Sequence, residues 1–197
     1  MKASEKLDLL FEQNNGIVKT AQVLENGITK TSFYAYAKQR GIEQAAHGIY
    51  VLPDAWTDGM YMLHLRCGQA VFSHESALFF HDLTDREPNP YSITVKTGYN
   101  PASLTADGIK VYTIKKELHD VGLITMDTPF GNAVSVYDAE RTICDLIRSR
   151  SSIEMQTFQD AIKQYARSRE KDLHKLMRNA KMFHVEKILR QYLEVLL

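Results

Sequence analysis

The sequence predicts an α+β fold in two parts, a small N-terminal body and a larger mixed domain that ends in helices. Three observations predict it. Residues 4–41 carry three short stretches of apolar side chains at helical spacing, each punctuated by Asn or Gly. Residues 42–53 shorten to strand-length runs around a glycine, and several further strand-length runs lie between residues 70 and 136. From residue 139 onward the chain is almost entirely amphipathic helix.

The first helix is expected to open at Ser4, whose hydroxyl can accept from an orphan backbone N–H. It would bury Leu7, Leu10 and Phe11 and end at Asn14-Asn15-Gly16. Ile17 and Val18 lead to Thr20, a second cap, and the next helix is expected to bury Ala21, Val23 and Leu24 before Asn26-Gly27 breaks it. Ile28 plugs the turn. Thr29 or Thr31 caps a third helix that runs to Gly41, with Phe33, Tyr36 and Ala37 at i, i+3, i+4 facing the core. Residues 42–45 and 49–52 read as strands around Ala46-His47-Gly48, where glycine supplies the positive φ, and Pro53 ends the second. Helix, turn, helix and hairpin in this order predict a winged helix-turn-helix over residues 1–54.

That reading assigns chemistry to the third helix. Its outward side carries Lys30, Thr31, Ser32, Ala35, Lys38 and Gln39, with Tyr34 at the margin. These are short hydrogen-bonding or cationic groups, and Ala35 is small enough to admit close approach. An α-helix fits the DNA major groove, and side chains near its N-terminus reach base edges. Lys30 and Lys38 would meet phosphate or guanine, Gln39 adenine, Tyr34 phosphate, and His47 at the hairpin tip the backbone or minor groove. The competing reading is a three-helix bundle used for protein contact. Residues 1–54 hold six basic and six acidic side chains, so sequence-specific docking to double-stranded DNA is favoured over a broad electrostatic footprint.

Residues 54–59 are expected to hold the boundary to a second domain, 55–197. There Met60–Cys67 reads as a helix with Met60, Leu63 and Cys67 on one stripe. Residues 70–72 read as a strand, and Ser73 as the cap of a helix over 75–81. Strands are expected at 91–96, 109–114, 121–126 and 133–136, the last two flanking Pro129-Phe130-Gly131-Asn132. Asp138 caps a helix over 139–148, and helices follow at 153–168, 171–181 and 185–196.

Among the 197 residues, basic and acidic side chains number 24 each, yet they are unevenly spread. Residues 55–149 hold 8 basic and 12 acidic groups, and residues 150–197 hold 10 basic and 6 acidic. Lys163 and Arg167 are four apart, and Lys171, Lys175 and Arg178 four and three apart, so each set shares a helix face. They are expected to form a stripe that adds phosphate contacts beside the winged helix. The N-terminus lacks a signal-peptide core and no run is long enough to span a membrane, which predicts a cytoplasmic protein with Cys67 and Cys144 as reduced core thiols.

Enzymatic signals are sparse. His74-Glu75 begins the zinc-protease pattern, but Leu78 stands where the second histidine is required, and two distant cysteines do not make a zinc site. No phosphate-cradling glycine loop is present. The rival reading is a DNA-targeted, metal-dependent nuclease using Asp82, Asp85 and Lys96. Thr94 occupies the place where that arrangement wants a carboxylate. The sequence therefore predicts no catalytic residue, metal site or cofactor.

Nearly the whole chain resembles the AbiEi family of antitoxins from bacterial abortive-infection systems. The resemblance rests on GIYVLP closing the hairpin, on SHESALFFHDLTD, and on AVSVYDAERTICDLIR before the terminal helices. These match the family's G-x-Y-x-L-P, S-A-L-x-x-H-x-L and A-E-R-T patterns. The resemblance implies a non-enzymatic autorepressor whose winged helix binds inverted repeats in its own promoter. It also implies a C-terminal domain that counters a nucleotidyltransferase-like toxin in a type IV toxin–antitoxin system without forming a stable complex, and repression that draws on both domains. Glu140 and Arg141 of the A-E-R-T pattern are expected to form an internal ion pair.

Overall fold

A computed structural model describes residues 2–56 and 58–196, with the side chains of residues 195 and 196 excepted. Thr57, inside the expected boundary, and the terminal Met1 and Leu197 lie outside the described residues. The fold is mixed α and β, as expected, and divides into two compact units. One runs to Gly68 and takes in Asp127–Ala133; the other comprises Gln69–Met126 and the chain from Val134 onward. The first unit therefore extends beyond residue 54 and includes a hairpin tip far away in sequence.

In the first unit, among the described residues, the order is α1 (Ala3–Gln13), β1 (Ile17–Lys19), α2 (Thr20–Glu25), α3 (Lys30–Arg40), β2 (Glu43–Ala46), β3 (Ile49–Val51) and α4 (Gly59–Arg66). α1 starts at Ala3, so Ser4 is not its cap; the Glu5 carboxylate accepts from the Lys2 N–H at 2.9 Å instead. α2 likewise starts at Thr20, and Gln22 Oε1 accepts from the Lys19 N–H at 2.8 Å. Thr20 donates through its N–H and its hydroxyl to Gly48 O, anchoring the hairpin to the start of α2. α2 is a short helix and turns only Val23 inward; Ala21 and Leu24 are exposed, contrary to expectation.

β1 was not anticipated. It pairs antiparallel with β3, which pairs antiparallel with β2, giving a sheet of order β1-β3-β2. Leu7, Leu10, Phe11, Val18, Val23, Ile28, Phe33, Tyr36, Ala37 and Ile42 make one apolar cluster. Each fully buried large side chain there contributes roughly 1.5–3 kcal/mol. Asp58 caps α4 by accepting from the Tyr61 N–H. Its other oxygen accepts from the Thr128 hydroxyl at 2.6 Å and from Asn132 Nδ2 at 2.8 Å. Asn15 Nδ2 donates to Asn132 Oδ1, so these hydrogen bonds are what seat residues 127–133 in this unit.

The second unit is built on β4 (Val71–Phe72), α5 (His74–Phe80), β5 (Ser92–Lys96), α6 (Ala102–Ala106), β6 (Lys110–Ile114), α7 (Lys116–His119), β7 (Leu123–Asp127) and β8 (Ala133–Tyr137). There follow α8 (Ala139–Arg148), a 3₁₀ turn at Arg150–Ser152, α9 (Met155–Arg167), α10 (Leu173–Met182) and α11 (Glu186–Leu196). The sheet order is β6-β5-β4-β8-β7, with β5 parallel to β6, β4 antiparallel to β5 and β4 parallel to β8. α6 and α7 were not anticipated from the sequence. α8, capped by Asp138 accepting from the Arg141 N–H at 2.7 Å, is buried along most of its length. Ile143, Cys144, Leu146 and Ile147 pack there with α9, α10 and α11. Burial pushes the Cys144 thiol up to about 12, so it stays a protonated core group; Cys67 is also a free buried thiol. Among the described residues no helix is long and apolar enough to cross a membrane.

Candidate nucleic-acid interface

The faces of α3 fall where the apolar spacing places them. Thr29 caps the helix by accepting from the Ser32 N–H, and Gly41, at φ 65°, ends it in the left-handed region that glycine adopts without strain. Phe33, Tyr36 and Ala37 are buried. Lys30, Thr31, Ser32, Ala35, Lys38 and Gln39 are exposed, and Tyr34 is 46% exposed. Thr31, Ala35 and Lys38 stand at i, i+4, i+7, opposite the buried stripe. Lys30 and Lys38 lie about 12 Å apart along the axis, at a rise of ~1.5 Å per residue.

Neighbouring groups decide which polar side chains of α3 remain available. Arg40 donates to Asp8 at 2.9 Å and lies over the Tyr36 ring, while the Tyr36 hydroxyl donates to the same carboxylate at 2.6 Å. Burial and Asp8 hold the Tyr36 phenol up at about 12. Arg40 is thus turned toward α1, away from the exposed face. The Ser32 hydroxyl accepts from the Thr29 hydroxyl at 3.0 Å. Tyr34 and Phe33 both approach Tyr50 of β3, with ring centroids at 6.2 and 4.8 Å, so an aromatic trio fastens the helix to the hairpin. Burial and Tyr34 raise the Tyr50 phenol above its ordinary value. His47 is exposed in the two-residue turn between β2 and β3, with Gly48 at φ 70°.

The C-terminal basic residues do not form one open stripe. Lys163 and Arg167 of α9 and Arg178 of α10 are exposed. Lys171 is half-buried and donates to Ser168 O at 2.9 Å. Lys175 pairs with Asp138 at 3.0 Å and Glu140 at 3.5 Å; burial opposes its charge, but the two carboxylates hold its pKa above the ordinary lysine value.

Glu140 and Arg141 do not pair with each other. Glu140 accepts from the Tyr165 hydroxyl and from the Asp172 N–H. Arg141, fully buried, bonds Asp145 at 2.8 Å through Nε and donates through Nη1 to Leu118 O and Val121 O. Its guanidinium stacks between the rings of Tyr137 and Phe183 at 4.0 and 4.1 Å. Burial holds the Asp145 carboxyl above its ordinary value against the pull of Arg141 and Arg148, to both of which it is bonded.

The SHES segment forms a buried polar chain. Ser73 does not cap α5 with its side chain. Its hydroxyl oxygen accepts from the Thr94 hydroxyl at 2.9 Å and lies 3.0 Å from His74 Nδ1, while His74 Nε2 lies 3.0 Å from Ser149 Oγ. With Thr94 as donor, the Ser73 proton is best placed on His74 Nδ1, which leaves Nε2–H to donate to Ser149. In that arrangement the imidazole supplies a proton to Ser149 and does not withdraw one, so it does not make Ser149 a nucleophile. His74 stacks on Tyr112 at 3.5 Å, and burial, with Lys110, Arg148 and Arg141 nearby, holds its pKa well below the usual histidine range. His81 Nε2 donates to Tyr137 O.

The carboxylates of the nuclease reading do not assemble. Asp82 and Asp85 are exposed, Lys96 pairs with Asp120 at 3.5 Å, and among the described residues no three His, Cys, Asp or Glu side chains converge.

No protein-family model and no curated protein matches the sequence. Among solved structures, the fold is similar to a crystal structure of the RV2827C protein from Mycobacterium tuberculosis, with a TM-score of 0.59 over 91% of this chain and 71% of that one. At 14% identity the likeness is one of fold: the chain shares its architecture with the mycobacterial protein.

Proposed function

We propose that the N-terminal unit is a winged helix-turn-helix and that the protein is a sequence-specific DNA-binding repressor. The observation that carries this reading is α3: its apolar side is buried, its outward side is small, polar and cationic, and an aromatic trio fixes it to a hairpin. Such a helix is suited to the major groove, with the β2–β3 hairpin as the wing. Lys30, Thr31, Ser32, Ala35, Lys38 and Gln39 would face base edges, and Tyr34 and His47 the backbone. Lys163, Arg167 and Arg178 would add phosphate contacts; Lys171 and Lys175 are held within their own unit.

The resemblance to the AbiEi antitoxins supports the finer form of this proposal. The chain would bind inverted repeats in its own promoter as an autorepressor. It would also counter a nucleotidyltransferase-like toxin in a cytoplasmic, type IV abortive-infection system, without catalysis and without a stable complex. Lys38→Ala and Thr31→Ala should then weaken binding to the native promoter by about 1–3 kcal/mol each while leaving random DNA nearly untouched. Equal loss on both DNAs in a gel-shift titration would remove α3 as the reading element.

A further inference from the structure

A cavity of about 270 Å³ in the second unit is lined by Thr97, Thr113, Ile114, Lys115, Leu118, Arg148, Met182, Phe183 and His184, with no acidic side chain among them. Thr97 and Lys115 directly follow β5 and β6, so the cavity lies at the carboxyl ends of a parallel strand pair, where open sheets commonly receive ligands. Arg148 uses Nη1 to bond Asp145, and its side chain remains a third exposed. Beneath Phe183 lies Arg141, and both guanidiniums stack on that ring, at 4.1 and 5.6 Å.

The local charge is unbalanced. Asp145 is one carboxylate shared by two guanidiniums, so one positive charge stays uncompensated beside the cavity, and Lys115 adds a second at the rim. Of the acids near these residues in sequence, Glu117 is exposed and does not line the cavity, Glu186 pairs with Arg190, and Asp120 is engaged with Lys96 and His119. Arg141 Nη2 is buried and has no hydrogen-bond partner among the described residues. The C-terminal ends of α8 and α10 also reach the cavity and favour cations there. That accounts for Arg148 but not for Lys115, and Arg141 does not itself line the cavity.

We propose that this cavity binds a phosphate group. Planar guanidinium and lysine ammonium groups are the usual partners of phosphate oxygens, and the volume suits a phosphate or a small phosphorylated compound. The site is separate from the α3 face, and its test does not depend on DNA reading by α3.

The full chain, labelled with ¹⁵N, would be titrated with inorganic phosphate against chloride at matched ionic strength. Amide shifts should cluster at Thr97, Thr113, Lys115, Phe183 and His184. The double variant Lys115→Gln/His184→Asn leaves the Arg141–Asp145–Arg148 group intact and should bind phosphate about tenfold more weakly. Two further arms identify the source. If the phosphate belongs to a free nucleotide, a 5′-mononucleotide shifts the same amides and the salt dependence of duplex binding is the same in the variant. If it belongs to a nucleic-acid backbone, duplex DNA shifts these amides and the variant loses about one unit of log K against log salt. Shifts scattered over Lys163, Arg167 and Arg178, or an unchanged affinity in the double variant, would overturn the assignment.

Discussion

Lowering the pH should destabilise the second unit through His74. The side chain is 2% exposed, lies flat on Tyr112 at 3.5 Å, and has three cations near it. The folded protein therefore keeps the imidazole neutral well below 6.5, whereas the unfolded chain takes up the proton near that value. Below pH ~6.5 the unfolded state holds one more proton than the folded state, so stability falls as pH falls. The slope is about 1.4 kcal/mol per pH unit for as long as folded His74 remains neutral. Each pH unit over which this holds therefore removes a sizeable fraction of a typical domain's stability.

His74→Asn tests the slope without breaking the backbone, because position 74 has φ 50° and asparagine tolerates that region. Urea unfolding at several pH values between about 5 and 8 should show a steep acid loss in the wild type and a shallower one in the variant. Far-ultraviolet circular dichroism is the appropriate probe, since the single tryptophan, Trp56, is 81% exposed and belongs to the first unit. His64, also lowered by burial, contributes the same background to both proteins. Parallel pH slopes in the two proteins would refute the argument.

Two substitutions test the packing around Arg141. Arg141→Met leaves the Leu118 and Val121 carbonyls without their donor and removes one of the two partners of Asp145. A cost of about 3–5 kcal/mol is expected, read as a Tm drop on the order of 10 °C in a thermal melt. Gly122 has φ 75°, and a Cβ there would lie 2.6 Å from Arg141 Cβ and 2.9 Å from Asp138 Oδ2. Gly108 has φ 81° with nothing within 4 Å, so it carries the backbone strain alone. Gly122→Ala should therefore cost clearly more than Gly108→Ala, itself about 1–2 kcal/mol; equal Tm shifts would show that the close approach is relieved at no cost.

What was legible in the sequence was whatever short-range spacing decides. α3 could be read almost to the residue, because Thr29 and Gly41 punctuate it and Phe33, Tyr36 and Ala37 mark its inner side within one and a half turns. β1 could not: three residues have no periodicity to show, and they form a strand only because β3, some 30 residues later, presents an edge to Ile17–Lys19. The same holds for residues 127–133. A Pro-Phe-Gly-Asn turn is visible locally, but its membership of the first unit depends on the Asp58 carboxylate and on Asn15, distant in sequence. Ser73 shows the limit from another side. It has the right residue type and place for a cap, yet its hydroxyl is taken by Thr94 and His74 from within the core.

The basic stripe makes the same point about charge. Spacings of four and three from Lys171 to Arg178 suggest one helix face, but α10 begins only at Leu173, so Lys171 lies outside it, and spacing does not say what stands opposite Lys175 and Arg178. Opposite Lys175 are Asp138 and Glu140, at the start of α8, and the pairing cancels part of the excess that the linear count assigns to residues 150–197. Lys171 is spent on the Ser168 carbonyl. If the protein binds DNA as proposed, three exposed cations of the five remain for phosphate, and each phosphate contact contributes about 0.9 to the slope of log K against log salt. Replacing Lys163, Arg167 and Arg178 with Ala should therefore flatten the slope for promoter DNA by at most about 2.7 and leave stability nearly unchanged. Lys175→Ala should do the reverse: an unaltered slope and a lower Tm, because two carboxylates at the cap of α8 lose their counter-charge. A slope that falls on replacing Lys175 alone, with no change in Tm, would mean that its ion pairs open to admit DNA.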